Sequence, residues 1–190
     1  MKRTAVHRLL YSPSDLVRYL ASPFASWMDR YHLEFPAAIT PDEATDDSAL
    51  IAQAGERHEQ AVLDEFRQSG VAMVEIHARD QAVALEETLA AIRARTPILY
   101  QAALEQAPFA GSADFLLLDD AGRYQVWDSK LARSPQPYYA VQLCAYSEML
   151  ASLTGGTMPD RFGVILGTQE RVEFRVEDFI HYYRHIKKSF

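Results

Sequence analysis

Cysteine is almost absent from this sequence of 190 residues. Its one cysteine, Cys144, has no partner within the chain, so an internal disulfide is excluded. A single thiolate also excludes any zinc or iron–sulfur site built from several cysteines of one chain. Such sparing use of cysteine is typical of a reducing compartment, and we expect the protein to be cytoplasmic.

Long apolar runs are missing as well. No stretch approaches the roughly 20 apolar residues that a helix needs to cross a bilayer. The N-terminus is basic but lacks the apolar segment of a secretory signal. We therefore expect no membrane partner.

An excess of positive charge is also absent. The chain carries 19 Lys and Arg against 26 Asp and Glu, which gives a net charge of −7. Nucleic-acid-binding domains usually show a basic face, so this balance argues mildly against that class. The acidity is concentrated in the middle of the chain, and residues 37–65 hold eight acidic residues and one basic residue. One interpretation is a carboxylate cluster that a metal ion neutralises.

The rest of the composition is that of a globular protein, with 48% hydrophobic and 24% charged residues. The length favours one domain over residues 1–190. Within it we expect an N-terminal helical segment (1–41), an α/β core (42–176) and a C-terminal helix (177–190). The sequence stops directly after a helical pattern, which leaves open whether it is one domain of a longer chain.

Periodicity and turn residues predict the order of the elements. We predict helices over about 13–20, 24–31, 42–68, 81–95, 137–153 and 176–188, and strands over 71–76, 98–104, 113–118, 124–131, 161–166 and 171–175. This order predicts an α/β fold with a central mixed β-sheet flanked by helices. Three aromatic residues at helical spacing, Phe24, Trp27 and Tyr31, are predicted to belong to the core rather than to a base-stacking platform.

The hairpin over 113–131 carries the most informative residues. If its turn centres near Ala121, Asp114 lies opposite Asp128 on the neighbouring strand. Like charges so placed destabilise a sheet, and a divalent cation would compensate them. Mg²⁺ and Mn²⁺ prefer carboxylate oxygens and keep several waters.

Lys130 lies two residues after Asp128 and therefore on the same face of the strand. Beside a metal-bound water it could help to deprotonate or orient that water, or stabilise charge on a phosphate. The alternative is an ordinary Asp–Lys pair on an edge strand.

Two helices add further candidates. On the long helix, His58 and Glu59 are each placed so that they could face the sheet, and Glu59 could equally be one more solvated acid. On the helix over 137–153, Gln142 and Tyr146 are four residues apart and share a face. An amide and a phenol there could bind a phosphate or a base, or form an ordinary mixed face.

In this order the motifs resemble those of the RecB-like branch of the PD-(D/E)XK nuclease superfamily. The resemblance covers roughly residues 50–150 and rests on four short patterns, namely Gly55…Glu59, Gly111…Asp114, Asp128…Lys130 and Gln142…Tyr146.

The resemblance implies a restriction-endonuclease-like core and a role for each residue. Asp114 and Asp128 would be ligands of Mg²⁺ or Mn²⁺, and Lys130 would be the catalytic lysine. Glu59 would be the helix ligand, although many relatives have His there, so the neighbouring His58 stays a second candidate. Gln142 and Tyr146 would support the site and hold the nucleic-acid backbone. The iron–sulfur cluster of several relatives is excluded, because only one cysteine is present.

The implied activity is metal-dependent hydrolysis of DNA phosphodiester bonds, at ends or in single strands, with RNA as the other possible substrate. Such exonucleases act in DNA repair, recombination or defence. No Gly-x-x-x-x-Gly-Lys-Ser/Thr motif is present, so unwinding would need a helicase or another partner domain. Two alternatives remain, a catalytically inactive nuclease-like module that binds nucleic acid or protein, and a hydrolase of small phosphoesters.

Overall fold

The computed structural model describes residues 1–3, 9–42 and 45–190. Its helices are α1 (Pro13–Ala21), α2 (Pro23–Glu34), α3 (Asp46–Gln68), α4 (Gln81–Arg93), α5 (Pro137–Leu153) and α6 (Val176–Ser189). Its strands are β1 (Lys2–Arg3), β2 (Leu9–Leu10), β3 (Met73–Glu75), β4 (Ile98–Gln106), β5 (Phe109–Leu118), β6 (Tyr124–Lys130), β7 (Arg161–Leu166) and β8 (Arg171–Arg175).

Most of the predicted elements are present within a few residues of their expected bounds. The two-residue strands β1 and β2 were not predicted and pair with each other. Helix α3 begins at Asp46, with Thr45 as its N-cap, rather than at about residue 42. The predicted start falls partly on residues 43–44, which lie outside the described residues, as do residues 4–8 of the basic N-terminus.

Strands β3 to β8 form one six-stranded sheet in the order β3-β4-β5-β6-β7-β8. β3 is parallel to β4 and β6 is parallel to β7, whereas the other neighbours are antiparallel. Parallel neighbours need a crossover connection, and α4 and α5 supply it here. The predicted α/β class, a mixed sheet flanked by helices, is confirmed and is consistent with a restriction-endonuclease-like core.

Helices cover the sheet, and the buried apolar side chains form three clusters, of which the two larger ones border β5 and β6. Helix α5 is the most deeply buried helix and supplies much of the larger cluster, together with Leu16 of α1 and Tyr183 of α6. A smaller cluster packs residues of α3 against the sheet around Phe115 and Trp127. The candidate residues of β5 and β6 are therefore enclosed between α3 and α5.

The β5–β6 hairpin has the register that its turn predicts. Gly122 adopts a φ of +75°, a left-handed conformation that glycine takes without steric cost, and closes the turn. Leu118 pairs with Tyr124, and Phe115 pairs with Trp127. The pattern thus fixes which residues of the two strands face each other.

The alternation of side chains breaks once in β4 and once in β5, at facing positions. Leu99 and Ala102 are three residues apart, yet both belong to the larger cluster, and so do Ala113 and Leu116. A strand of period two would send such residues to opposite faces. The extra residue in β4 is Gln101, whose φ of +54° lies in the left-handed region.

The aromatic residues of α2 are not core, so this prediction is wrong. Phe24 is 70% exposed and Trp27 is 55% exposed. Their rings stack in succession along the helix, with centroids 6.1 Å apart for Phe24–Trp27 and 5.2 Å apart for Trp27–Tyr31. Helical spacing aligned the rings on one face, but it could not show what that face packs against.

The first half of α3 is also more exposed than its apolar pattern suggested. Leu50 and Ile51 are 60% and 67% exposed, and the buried residues of this helix begin at His58.

Within the described residues, no helix is long and apolar enough to span a membrane.

Candidate active site

The β5–β6 ladder ends one position before the predicted acidic pair. Phe115–Trp127 is its last pair, and the same register continued would set Asp114 opposite Asp128. At this point Ser129 donates to Oδ2 of Asp114, from its backbone nitrogen at 2.9 Å and from its hydroxyl at 3.1 Å. The two carboxylates therefore lie where the hairpin opens.

The environment of Asp114 favours its protonated form. Burial raises the pKa of this carboxyl well above its usual range, and Asp128 raises it further by its charge and by a shared hydrogen bond. The hydrogen bond from Ser129 and the charge of Lys130 act in the opposite direction without cancelling the rise. Two carboxyl groups this close do not both ionise easily unless a cation lies between them.

Lys130 forms an ion pair with Asp128, and its Nζ lies 2.6 Å from Oδ2. The ammonium also lies over the ring of Tyr139 of α5, 5.6 Å from its centroid. Burial alone would lower the pKa of Lys130, but the charge and hydrogen bond of Asp128 outweigh it and the pKa is raised. Lys130 is thus held as a cation at neutral pH.

Helix α5 brings the predicted phenol to the same place. Burial raises the pKa of Tyr146, and the nearby charges of Asp128 and Asp114 raise it further. Gln142 lies within hydrogen-bonding reach of the Tyr146 hydroxyl and lowers this pKa in part. A Cβ at Gly111 would lie 3.1 Å from that hydroxyl, so the glycine permits the close approach of α5 to β5. The structure thus groups all of these predicted residues.

Glu59 reaches the edge of this cluster from α3. Its Oε1 accepts a hydrogen bond from the Tyr100 hydroxyl at 2.8 Å and from Nε2 of Gln101 at 2.6 Å. Burial raises the pKa of Glu59, the charge of Asp114 raises it further, and the two hydrogen bonds and Lys130 partly offset this. Glu59 is therefore a held, half-buried carboxylate rather than a freely solvated one.

His58 has a different environment. Its side chain is buried, and its Nε2 lies 3.2 Å from the carbonyl oxygen of Ile165. Because a carbonyl oxygen only accepts, Nε2 is the donor in this contact, which leaves Nδ1 as the nitrogen of His58 that could bind a metal. Glu59 lies close enough to Asp114 and Lys130 for their charges to shift its pKa.

The donor set fits a hydrated, oxygen-loving cation at Asp114 and Asp128. Oδ2 of Asp128 is buried and has no partner with good hydrogen-bond geometry, although the Lys130 ammonium is close by. Mg²⁺ is commonly held by one or two carboxylates together with water and substrate phosphate. Among the described residues, no three His, Cys, Asp or Glu side chains are grouped closely enough to hold a metal ion by themselves. Oε1 of Glu59 is engaged by Tyr100 and Gln101.

Four residues at this site were not predicted from the sequence, namely Tyr100, Gln101, Ser129 and Tyr139. Ser129 lies inside the Asp-x-Lys triplet. Its proximity to Asp114 follows from the hairpin register and could therefore have been predicted from the sequence. Tyr100 and Gln101 lie on β4, and their contact with α3 depends on tertiary packing that no local pattern encodes.

Comparison with known proteins does not identify the chain. No protein-family model matches it, and no curated protein matches it at a significant level.

Proposed function

We propose that this chain is a RecB-like nuclease domain of the PD-(D/E)XK superfamily that hydrolyses DNA phosphodiester bonds with Mg²⁺ or Mn²⁺. The observation that carries this proposal is the cluster of Asp114, Asp128 and Lys130 at the open end of the β5–β6 hairpin. Opposed carboxylates enclosed between two helices destabilise a fold that does not use them, and Lys130 offsets only part of their repulsion. In keeping with its sequence, we propose that the protein acts in the cytoplasm.

Asp114 and Asp128 would hold the cation, with Glu59 as the third carboxylate beside them. A divalent ion there would polarise the scissile phosphate and lower the pKa of a bound water. In the reaction, a bond would form between the water oxygen and phosphorus while the ester bond to the leaving sugar oxygen breaks. The proton that the water loses would pass to solvent, and the leaving sugar oxygen would take a proton from solvent. The two carboxylates would fix the position of the phosphate relative to the attacking water.

Lys130 would act as a fixed cation rather than as a base. In the metal-free protein Asp128 holds its ammonium in the protonated form, and an ammonium has no lone pair with which to take a proton from water. An ammonium in this enclosed place would stabilise the negative charge that builds on the phosphate oxygens. The neutral hydroxyl of Tyr146 would donate to the same oxygens.

The test is cleavage of labelled single-stranded and double-stranded linear DNA in Mn²⁺ by wild type, Lys130→Met and Lys188→Ala. Methionine keeps much of the packing over Tyr139 but has no charge, whereas Lys188 is an exposed lysine at the end of α6. We expect Lys130→Met to reduce cleavage by about 100-fold or more and Lys188→Ala to leave it unchanged. Equal activity in all three proteins would refute the site.

A nuclease-like module without catalysis is the second candidate, and the net charge of −7 favours it. Binding of DNA in EDTA distinguishes the two. A binding module would retain affinity that falls with salt and would cleave nothing in Mn²⁺. A hydrolase of small phosphoesters would show no affinity for DNA under either condition.

A further inference from the structure

The strained backbone of Gln101 lies next to the candidate metal site. Its φ of +54° falls in the left-handed region, which residues with a Cβ seldom adopt inside a strand. The flanking pairs, Tyr100–Phe115 and Ala102–Ala113, show that Gln101 faces Asp114 across the two strands. A costly conformation persists only where surrounding interactions hold it, and such positions concentrate at functional sites.

The side chain of Gln101 makes a specific contact from this position. Its Nε2 donates to Oε1 of Glu59 at 2.6 Å, and the Tyr100 hydroxyl donates to the same oxygen. Both donors therefore occupy Oε1, and no described residue donates to Oε2 of Glu59. Gln101 thus lies opposite Asp114 of β5 in the strand register, while its side chain holds Glu59 of α3.

We propose that Gln101 is a positioning residue that fixes the Glu59 carboxylate through Oε1, so that Oε2 stays free to contribute to the binding of a divalent cation at Asp114 and Asp128. This inference rests on the proposed function. Carboxylates that bind metals are usually held by a hydrogen bond of this kind, and loss of such a partner commonly costs 10- to 100-fold in metal affinity.

The chain offers a matched control for the backbone conformation. Gln169, in the turn between β7 and β8, also has a left-handed φ, +66°, but its side chain is exposed. Replacing either glutamine by glycine relieves the same backbone strain. Only the change at Gln101 also removes a hydrogen bond to Glu59.

The experiment measures Mn²⁺ affinity in the absence of nucleic acid, from the electron paramagnetic resonance signal of free Mn²⁺, together with urea unfolding. We expect Gln101→Gly to weaken Mn²⁺ binding about 10-fold or more without lowering the urea midpoint. Gln169→Gly should leave the affinity unchanged. Gln101→Asn, which tolerates the left-handed region but is one methylene shorter, should weaken binding in the same way.

A double-mutant cycle separates positioning from a general structural role. If Gln101 acts through Glu59, Glu59→Gln with Gln101→Gly should bind Mn²⁺ no more weakly than Glu59→Gln alone. Wild-type affinity in Gln101→Gly, or additive losses in the double variant, would overturn the role of Gln101 and leave the nuclease proposal standing. A wild-type protein that binds no Mn²⁺ would overturn the metal site itself and this inference with it.

Discussion

At the scale of single residues, the acidic pair makes stability depend on pH in an unusual direction. Most carboxylates gain partners on folding and have lowered pKa values, but burial and then Asp128 raise the pKa of Asp114. The folded state therefore holds a proton that the unfolded state releases above about pH 4.

We expect the metal-free protein to lose stability as pH rises from about 4 through the raised pKa of Asp114. Asp114→Asn cannot ionise and should show a flatter profile over that range. The measurement is urea unfolding against pH in EDTA, with Asp120→Asn, in the exposed turn, as the control. A wild-type profile that rises over this range and matches that of Asp114→Asn would contradict the assignment.

Two motif glycines should respond in opposite ways to alanine. A Cβ at Gly111 would lie 3.1 Å from the Tyr146 hydroxyl, whereas Gly55 in α3 has nothing within 4 Å of that position. We expect Gly111→Ala to lower the free energy of unfolding by about 1 kcal/mol, because it overpacks the α5–β5 contact. Gly55→Ala should raise it by about 0.5–1 kcal/mol through helix propensity. Urea denaturation of both variants tests these two expectations. A stabilised Gly111→Ala would contradict the first and show that α5 can move away from β5.

At the scale of elements, the two halves of α3 differ in packing. The N-terminal half is exposed, and the C-terminal half packs against the sheet. The buried residues of the helix are His58, Val62, Leu63 and Phe66, whereas Leu50 and Ile51 are exposed. A helical segment without packing opens by local fluctuation.

We therefore expect backbone amides of residues 50–56 to exchange with deuterium at least about 10-fold faster than those of residues 60–66. Hydrogen exchange measured by NMR or mass spectrometry tests this. Equal protection along the helix would mean that the exposed half is covered in solution. Addition of Mn²⁺ should slow exchange around Glu59 if that carboxylate joins the metal.

The elements themselves were largely predictable because their signals are local. Caps and breakers such as Ser22 and Pro137 bound the helices, and the turn at Gly122 fixed the register that brings Asp114 toward Asp128. The environment of α2 was not predictable, since periodicity reports a face and not what the face contacts. The contact between Glu59 and Gln101 joins residues 42 positions apart and depends on how α3 packs on the sheet.

At the scale of the whole molecule, a bound divalent cation should stabilise the fold. At 100 times its dissociation constant, a ligand that binds only the native state adds about 2.7 kcal/mol. For a chain of this size that corresponds to a rise of about 5 °C or more in Tm.

We expect Mn²⁺ to raise the Tm of the wild type and to leave that of the double variant Asp114→Asn/Asp128→Asn unchanged. Without metal, Asp114→Asn alone should unfold at a higher temperature than the wild type, because it removes the repulsion between the two carboxylates and keeps the ion pair between Asp128 and Lys130. Differential scanning calorimetry with Mn²⁺ and with EDTA measures both effects. Equal shifts in the two proteins would place the cation elsewhere on this acidic chain.

The paired interruption of alternation at Gln101 and Asp114 also constrains how this sheet can change in evolution. Loss of one residue from β4 alone would turn every later side chain of that strand to the opposite face while β5 kept its own phase. Compensation would require loss of the facing residue, Asp114, which is the proposed metal ligand. The two irregular positions should therefore be gained or lost together, and a descendant that has straightened both strands should have lost the proposed activity as well.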